Sequence, residues 1–186
     1  MNGRRNKYIK VITVFVLSII LIGVGWIMRK NIEMRIYDIT HSLKTGSKAP
    51  DFKIKNLKKE IVTLNKLKGK VVLINFWAIY CPPCKEELPV IQSIHEKYNE
   101  DELVVLTINK DNNIDKVISF MDENDYSFPV AMENKEMTDS YGGGWIPYVV
   151  LIDKQGIVCY AHRGYRVGDE QELISEIENL LGDISQ

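Results

Sequence analysis

Cysteine is scarce in this chain, with three among 186 residues. That is too few for a small domain built on disulfide staples. Neither sign of charge is in excess. The net charge of −1 carries none of the basic surplus that marks a nucleic-acid binder, so no nucleic-acid partner is expected. There is no internal repeat and no low-complexity tract, which excludes solenoid arrays and biased linkers. Long hydrophobic runs are almost missing too, with one exception near the N-terminus. The remaining composition, 45% hydrophobic and 26% charged, is that of a globular protein. The length suits one domain plus an appendage.

The exception is the appendage. Val11–Met28 is 18 residues without a charge, softened only by Thr13, Ser18, Gly23 and Gly25. As a helix it would span about 27 Å, close to a hydrocarbon core of roughly 30 Å. Arg4, Arg5, Lys7 and Lys10 precede it, as in the positive region of a signal sequence. Gly25-Trp26-Ile27-Met28-Arg29 offers no small-x-small cleavage site. No polar stripe marks it as a helix of a globular core. No cysteine follows closely enough for lipid attachment. An uncleaved single-span membrane anchor is expected. Four basic residues follow it (Arg29, Lys30, Arg35 and Lys44) against four before it, so the positive-inside rule is tied. The signal-like N-terminus favours a domain outside the cell. The expected division is a basic tail at 1–10, an anchor at 11–28, a stalk or short helix at 29–48, and a folded domain at 49–186.

Two of the three cysteines stand in Trp77-Ala78-Ile79-Tyr80-Cys81-Pro82-Pro83-Cys84. This octapeptide follows a strand-like apolar run, Val71–Phe76, and precedes a helix-like stretch. A dithiol at a strand-to-helix turn is what thiol–disulfide exchange needs. The thiolate is the nucleophile, and a helix N-terminus stabilises it. Pro82 fits the first helical position, where no N–H is required. Cys81 lies at the terminus and is expected to attack a substrate disulfide. Cys84, one turn inward, would then attack Cys81 and release the reduced product. Half a zinc site is the competing interpretation. There is no second CxxC, and His41, His95 and His162 lack finger-like spacing, so no metal is expected. Cys159 reads as a buried, inert thiol, His95 as a half-buried structural residue, and His162 as part of a surface loop.

The remaining pattern gives an order of elements. Short strands are predicted at Phe52–Lys55 and Ile61–Leu64, and buried strands at Lys70–Phe76 and Leu103–Asn109. A helix runs from Pro82 to Tyr98, with Pro89 inside it expected to cause a kink. A second helix spans Asn113–Glu123, and Phe128–Ala131 is a brief strand. Pro147–Asp153 and Ile157–Ala161 form a hairpin around Lys154-Gln155-Gly156. A last helix runs from Asp169 to Leu181. The fold class is α/β: a thioredoxin-like mixed central sheet flanked by helices, with an N-terminal strand addition and one N-terminal transmembrane helix.

Phe76-Trp77-Ala78-x-x-Cys81-Pro82-Pro83-Cys84-Lys85 resembles the active-site stretch of the TlpA/ResA-like branch of the thioredoxin superfamily. Ala49-Pro50-Asp51-Phe52, the run Leu67–Trp77, Glu87-Leu88-Pro89, Ile146-Pro147 and Leu151-Ile152-Asp153-Lys154-x-Gly156 extend the likeness over roughly residues 47–181. The resemblance implies a membrane-tethered or exported enzyme that reduces particular protein disulfides, such as those of apocytochromes c. It implies electrons from a membrane dithiol carrier, and no cofactor beyond the Cys81–Cys84 pair. Residues alone leave the isomer of the Ile146–Pro147 bond open; the resemblance makes Pro147 a cis-proline opposite the dithiol. Ile146 becomes the residue whose backbone pairs with an extended substrate. The substrate-facing set is then Trp77, Pro82, Pro83, Ile146 and Pro147, with Trp77 equally well a packing residue. Asn75 stands where thioredoxin has a buried aspartate. Glu87 matches an active-site acid of this branch and could take the proton of Cys84. Glu86 is expected in solvent.

Two other functions fit the same scaffold. A peroxiredoxin-like peroxidase places threonine three residues before its attacking cysteine, where this chain has Ala78. An SCO-type copper chaperone uses three residues between its cysteines and a distal histidine, where this chain has two residues.

Overall fold

A computed structural model describes residues 2–41 and 43–182, with side chains for 13–33 and 43–182. The chain divides into two compact units, Met1–His41 and Ser42–Gln186. The first is one helix, α1 (Asn2–His41). It does not stop at Met28: residues 29–41, within the 29–48 segment expected as a stalk or short helix, continue it to His41. Its stretch Thr13–Glu33 is long and apolar enough to cross a membrane, and none of it is buried against protein. The side chains of Arg4, Arg5, Lys7, Lys10 and Arg35 lie outside the described residues.

The second unit is built on a five-stranded sheet, β5-β4-β3-β6-β7. Its centre is β3 (Val71–Trp77), every residue of which is buried. Continuous apolar sequence is what a strand covered on both faces requires. β3 pairs in parallel with β4 (Leu103–Asn109), from Val71↔Leu103 to Trp77↔Asn109. β4 pairs in parallel with β5 (Val130–Met132). On its other side β3 meets β6 (Tyr148–Ile152) antiparallel, from Val72↔Ile152 to Phe76↔Tyr148. β7 (Val158–Arg163) closes the hairpin with β6.

Strand periodicity divides the core in two. Val71, Leu73 and Trp77 face α2 (Pro82–Lys97), α3 (Ile114–Glu123) and α5 (Asp169–Gly182), meeting Leu88, Ile91, Val117 and Ile177. Val72, Ile74 and Phe76 face the opposite layer, where Met137 and Tyr141 of α4 (Lys135–Tyr141) pack beside Phe52 and Ile54. β1 (Lys53–Lys55) and β2 (Ile61–Thr63) form a separate antiparallel hairpin. It joins the β5 edge through a bridge between Asn56 and Ala131.

Two elements lack a strong sequence signal. A single 3-10 turn spans Leu64–Leu67. α4 has only seven residues, too short for apolar periodicity to show. Its ends are nevertheless marked: Asn134 Oδ1 caps the Met137 N–H, and Gly142 takes the left-handed conformation at φ 71°. Pro89 lies inside α2 without ending it. Its exposed position points the ring away from the core.

Candidate active site

β3 ends at Trp77, and the loop Ala78–Tyr80 leads straight into α2. Cys81 is the N-cap of that helix, and its Sγ accepts the Cys84 N–H at 3.3 Å. No acidic side chain sits in the first turn, so the positive end of the helix dipole acts on Cys81 unopposed there. Cys81 and Cys84 are joined as a disulfide, with Cα atoms 5.3 Å apart. The two sulfurs are not equivalent. Cys81 keeps 6% of its surface exposed and Cys84 none. Of the two prolines between them, Pro82 is exposed and Pro83 half-buried.

One turn below Cys84, Glu87 is buried, with 4% exposure. It is not a solvated surface residue; Glu86 beside it is exposed. Asn75 on β3 donates from Nδ2 to Glu87 Oε2 at 2.6 Å. Burial pushes the Glu87 carboxyl up to about 8. The Asn75 hydrogen bond opposes that rise and the charge of Asp169 adds to it. Asn75 Oδ1 has no hydrogen-bond partner. A protonated Glu87 would bring a donor to the same pair. Asn75 stands where the resemblance places an aspartate in thioredoxin, and its direct hold on Glu87 is visible only in the folded chain. Strand parity carries the signal: residues 71, 73, 75 and 77 share the face that α2 covers.

Of the two roles open to Trp77, its burial supports packing and not substrate contact. It is fully buried, donates from Nε1 to Thr107 Oγ1 at 3.1 Å, and packs against Phe120 and Phe128. It supports the floor of the site and cannot touch a docked substrate. Two exposed aromatics stand next in sequence to the dithiol and to Ile146–Pro147, and no motif marked them as site residues. Tyr80, immediately before Cys81, is 67% exposed, and Trp145 is 44% exposed. Trp145 precedes Ile146–Pro147, whose peptide bond is cis. Ile146 is half-buried and Pro147 buried. Carrying the Phe76↔Tyr148 register on by one residue sets Pro147 level with Trp77, at the end of β3 from which the dithiol loop departs. Gly143 lies in the segment leading there. A Cβ at that position would come within 2.6 Å of the Phe76 ring, so only glycine fits.

The loop itself has a fastening that no motif announced. Asp111 Oδ2 accepts the Ile79 N–H at 2.8 Å and Asn109 Nδ2 at 2.9 Å. His162 is a correction: it lies in β7, not on a loop, with Nε2 3.3 Å from Asp169 Oδ2. Cys159, also in β7, is partly buried and its thiol, raised by burial, contacts the Ile157 carbonyl. His95 is half-buried on α2.

A CxxC disulfide at the start of a helix, on this mixed sheet, beside a cis-proline loop, defines a thioredoxin-like thiol–disulfide oxidoreductase. Comparison with known proteins agrees. Residues 45–161 match the AhpC/TSA family. ResA, a thiol–disulfide oxidoreductase of Oceanobacillus iheyensis, is 32% identical over 98% of this chain and 91% of its own. The thioredoxin-like protein YneN of Bacillus subtilis is 31% identical over 84% and 92%. Among solved structures, the Chlorobium tepidum protein assigned as the thiol:disulfide interchange protein DsbE superposes with a TM-score of 0.70. It is 32% identical, over 76% of this chain and 100% of that one. The chain belongs to the AhpC/TSA family, within the TlpA/ResA-like branch of the thioredoxin superfamily.

Proposed function

We propose that this protein is a membrane-anchored reductase of disulfides in exported proteins, with its catalytic unit on the extracytoplasmic side. The observation that carries the direction of attack is the inequality of the two sulfurs: Cys81, at the helix start, keeps a trace of exposure, while Cys84 has none and lies above Glu87. The Cys81 thiolate attacks one sulfur of the substrate disulfide. That bond breaks, the other substrate sulfur leaves as a thiolate and is protonated, and a mixed disulfide forms. Cys84 gives its proton to ionised Glu87 and attacks Cys81 Sγ; the mixed disulfide breaks, and the second substrate sulfur leaves as a thiolate that takes a proton from solvent. The substrate has gained two electrons and two protons, and the enzyme is left as the Cys81–Cys84 disulfide. Electrons return by exchange from a membrane dithiol carrier, so no bound cofactor is needed. Apocytochrome c is one substrate of this kind. Pro82, Pro83, Ile146 and Pro147 would line the docked chain.

Glu87 also supports the reducing direction. Once ionised it disfavours a second negative charge on Cys84, and strong oxidants depend on a stabilised thiolate. The Thr13–Glu33 helix supports the anchor. The test is the reduction potential of Cys81–Cys84, measured by equilibration with glutathione or dithiothreitol. A value well below that of the strong oxidants is expected; one near about −120 mV overturns the reductase assignment. Cys84→Ala should accumulate mixed disulfides at Cys81 and so isolate the substrate. A peroxidase is disfavoured by buried Ala78, which offers no hydroxyl beside Cys81, and rapid peroxide consumption by the reduced protein would reinstate it.

A further inference from the structure

Charge is divided sharply along this chain. Residues 43–70 hold nine lysines against two carboxylates, Asp51 and Glu60. Residues 71–186 reverse the balance, with eight lysines and arginines against 21 aspartates and glutamates. Such asymmetry marks a surface suited to a polyanion.

The β1–β2 hairpin presents the basic part. Along β1, Ile54 points inward while Lys53 and Lys55 point out. The register sets Lys55 opposite Ile61 and Lys53 opposite Thr63. Directly opposed residues share a face, so Ile61, 53% exposed, stands among the outward lysines. Lys58 and Lys59 are exposed in the turn. Among the described residues none of these four lysines is in an ion pair. The two local carboxylates accept from neutral amides and, among the described residues, pair with no lysine: Asp51 from Asn65, and Glu60 from Asn56 within the hairpin itself.

We propose that the outer face of this hairpin docks on an anionic bilayer, with Lys53, Lys55, Lys58 and Lys59 on lipid phosphates and Ile61 at the acyl boundary. The inference rests on the membrane-anchored reading. Lipid is favoured over an acidic protein for two reasons. The basic segment begins at Lys44, 11 residues past Glu33, where the apolar stretch ends. At most about 3.5 Å per residue, Lys53, 20 residues past Glu33, is tethered within roughly 70 Å of the end of the apolar stretch. An exposed isoleucine ringed by lysines also matches an interface that is charged above and apolar below. Docking would limit tumbling of the catalytic unit on its tether.

The full chain should be mixed with nanodiscs of phosphatidylcholine alone and of phosphatidylcholine with phosphatidylglycerol. The readout is the amine-acetylation rate of each lysine by mass spectrometry. Lys53, Lys55, Lys58 and Lys59 should react several-fold more slowly in the anionic discs, while exposed Lys116 on α3 is unchanged. One molar salt, which shortens the Debye length to about 3 Å, should restore the rates. An Ile61→Trp variant should show blue-shifted emission in the anionic discs only. Equal rates in both lipids overturn the proposal. So does protection by soluble polyglutamate without protection by anionic discs, which would assign the face to an acidic protein. Co-elution with the zwitterionic discs tests the anchor separately, because the acetylation comparison is read on the unfractionated mixture.

Discussion

Asn75 Nδ2 and Glu87 Oε2 meet at 2.6 Å, strand to helix, inside the core and one turn below Cys84. A carboxyl in that place is largely neutral at pH 7, and the ionised fraction that can take a proton from Cys84 grows as pH rises toward 8. Its ordinary value is 4.5 and burial lifts it to about 8, near the value of an unperturbed thiol, about 8.5. A carboxyl lifted this far is a better proton acceptor for a thiol than an ordinary carboxylate.

Replacing Glu87 by Gln should therefore change two pH dependences. The rate of disulfide exchange should lose its inflection near pH 8 and fall overall. Stability should change in the opposite sense on the alkaline side. Below about 4.5 the carboxyl is neutral in both folded and unfolded chains. Between 4.5 and about 8 the unfolded chain releases a proton that the folded chain keeps, so stability falls as pH rises, by at most about 1.4 kcal/mol per unit. Urea denaturation across that window should show the fall in the native protein and a flatter profile in Glu87→Gln. Parallel profiles would remove Glu87 from both roles.

Asp169 reaches the same carboxyl from α5. It lines a narrow cleft with Glu87, Tyr160, His162 and Tyr165, and its charge helps to raise Glu87. Asp169→Asn should lower the Glu87 titration, and Asp169→Glu should largely preserve it. Carboxyl-carbon NMR of Glu87 reads the shift directly. A titration that stays put or moves up in the Asn variant refutes the coupling.

The Asp111 fastening predicts a loop effect. Asp111→Ala leaves the Ile79 N–H without its acceptor two residues before Cys81, at a cost of about 1–3 kcal/mol. Faster amide exchange at Ile79 and slower attack by Cys81 are expected. Asp111→Asn retains an acceptor oxygen and should recover most of both. Failure of the Asn variant to recover either would mean that charge, not the hydrogen bond, is what Asp111 supplies.

Gly143→Ala is a steric test. Its Cβ would stand 2.6 Å from Phe76, a buried ring stacked on Tyr148. Overpacking of this kind costs about 1–3 kcal/mol. Thermal unfolding should show a lowered midpoint, and a simultaneous Phe76→Leu substitution should return part of the loss. An unchanged midpoint in the single variant would mean that the segment moves aside freely.

Much of the fold is legible in the residues. Unbroken apolarity announces β3 and β4, Asn113 caps α3, and the turn at Gly156 joins β6 to β7. α4 is not legible in the same way, since three buried residues in a seven-residue helix do not make a periodic pattern. Trp77 shows a different limit. Proximity to Cys81 in sequence suggests proximity to substrate, but the last residue of a central strand points into a layer. The exposed aromatic next to the dithiol is Tyr80, because the chain has left the sheet by then.

What the sequence determines by itself is the chemistry and its address: a dithiol at a helix start, a continuous apolar helix near the N-terminus, a basic segment after it and an acidic remainder. Periodicity also settles which residues share a face within each element. Which faces meet is decided only by tertiary packing, because that depends on how strands are ordered and helices laid over them. Laying α2 over the odd-numbered side of β3 brings Asn75 to Glu87, 12 residues apart in the chain. The same packing hides Trp77, leaves Cys81 the more accessible of the two sulfurs, and buries an acid deeply enough to shift its proton by several pH units.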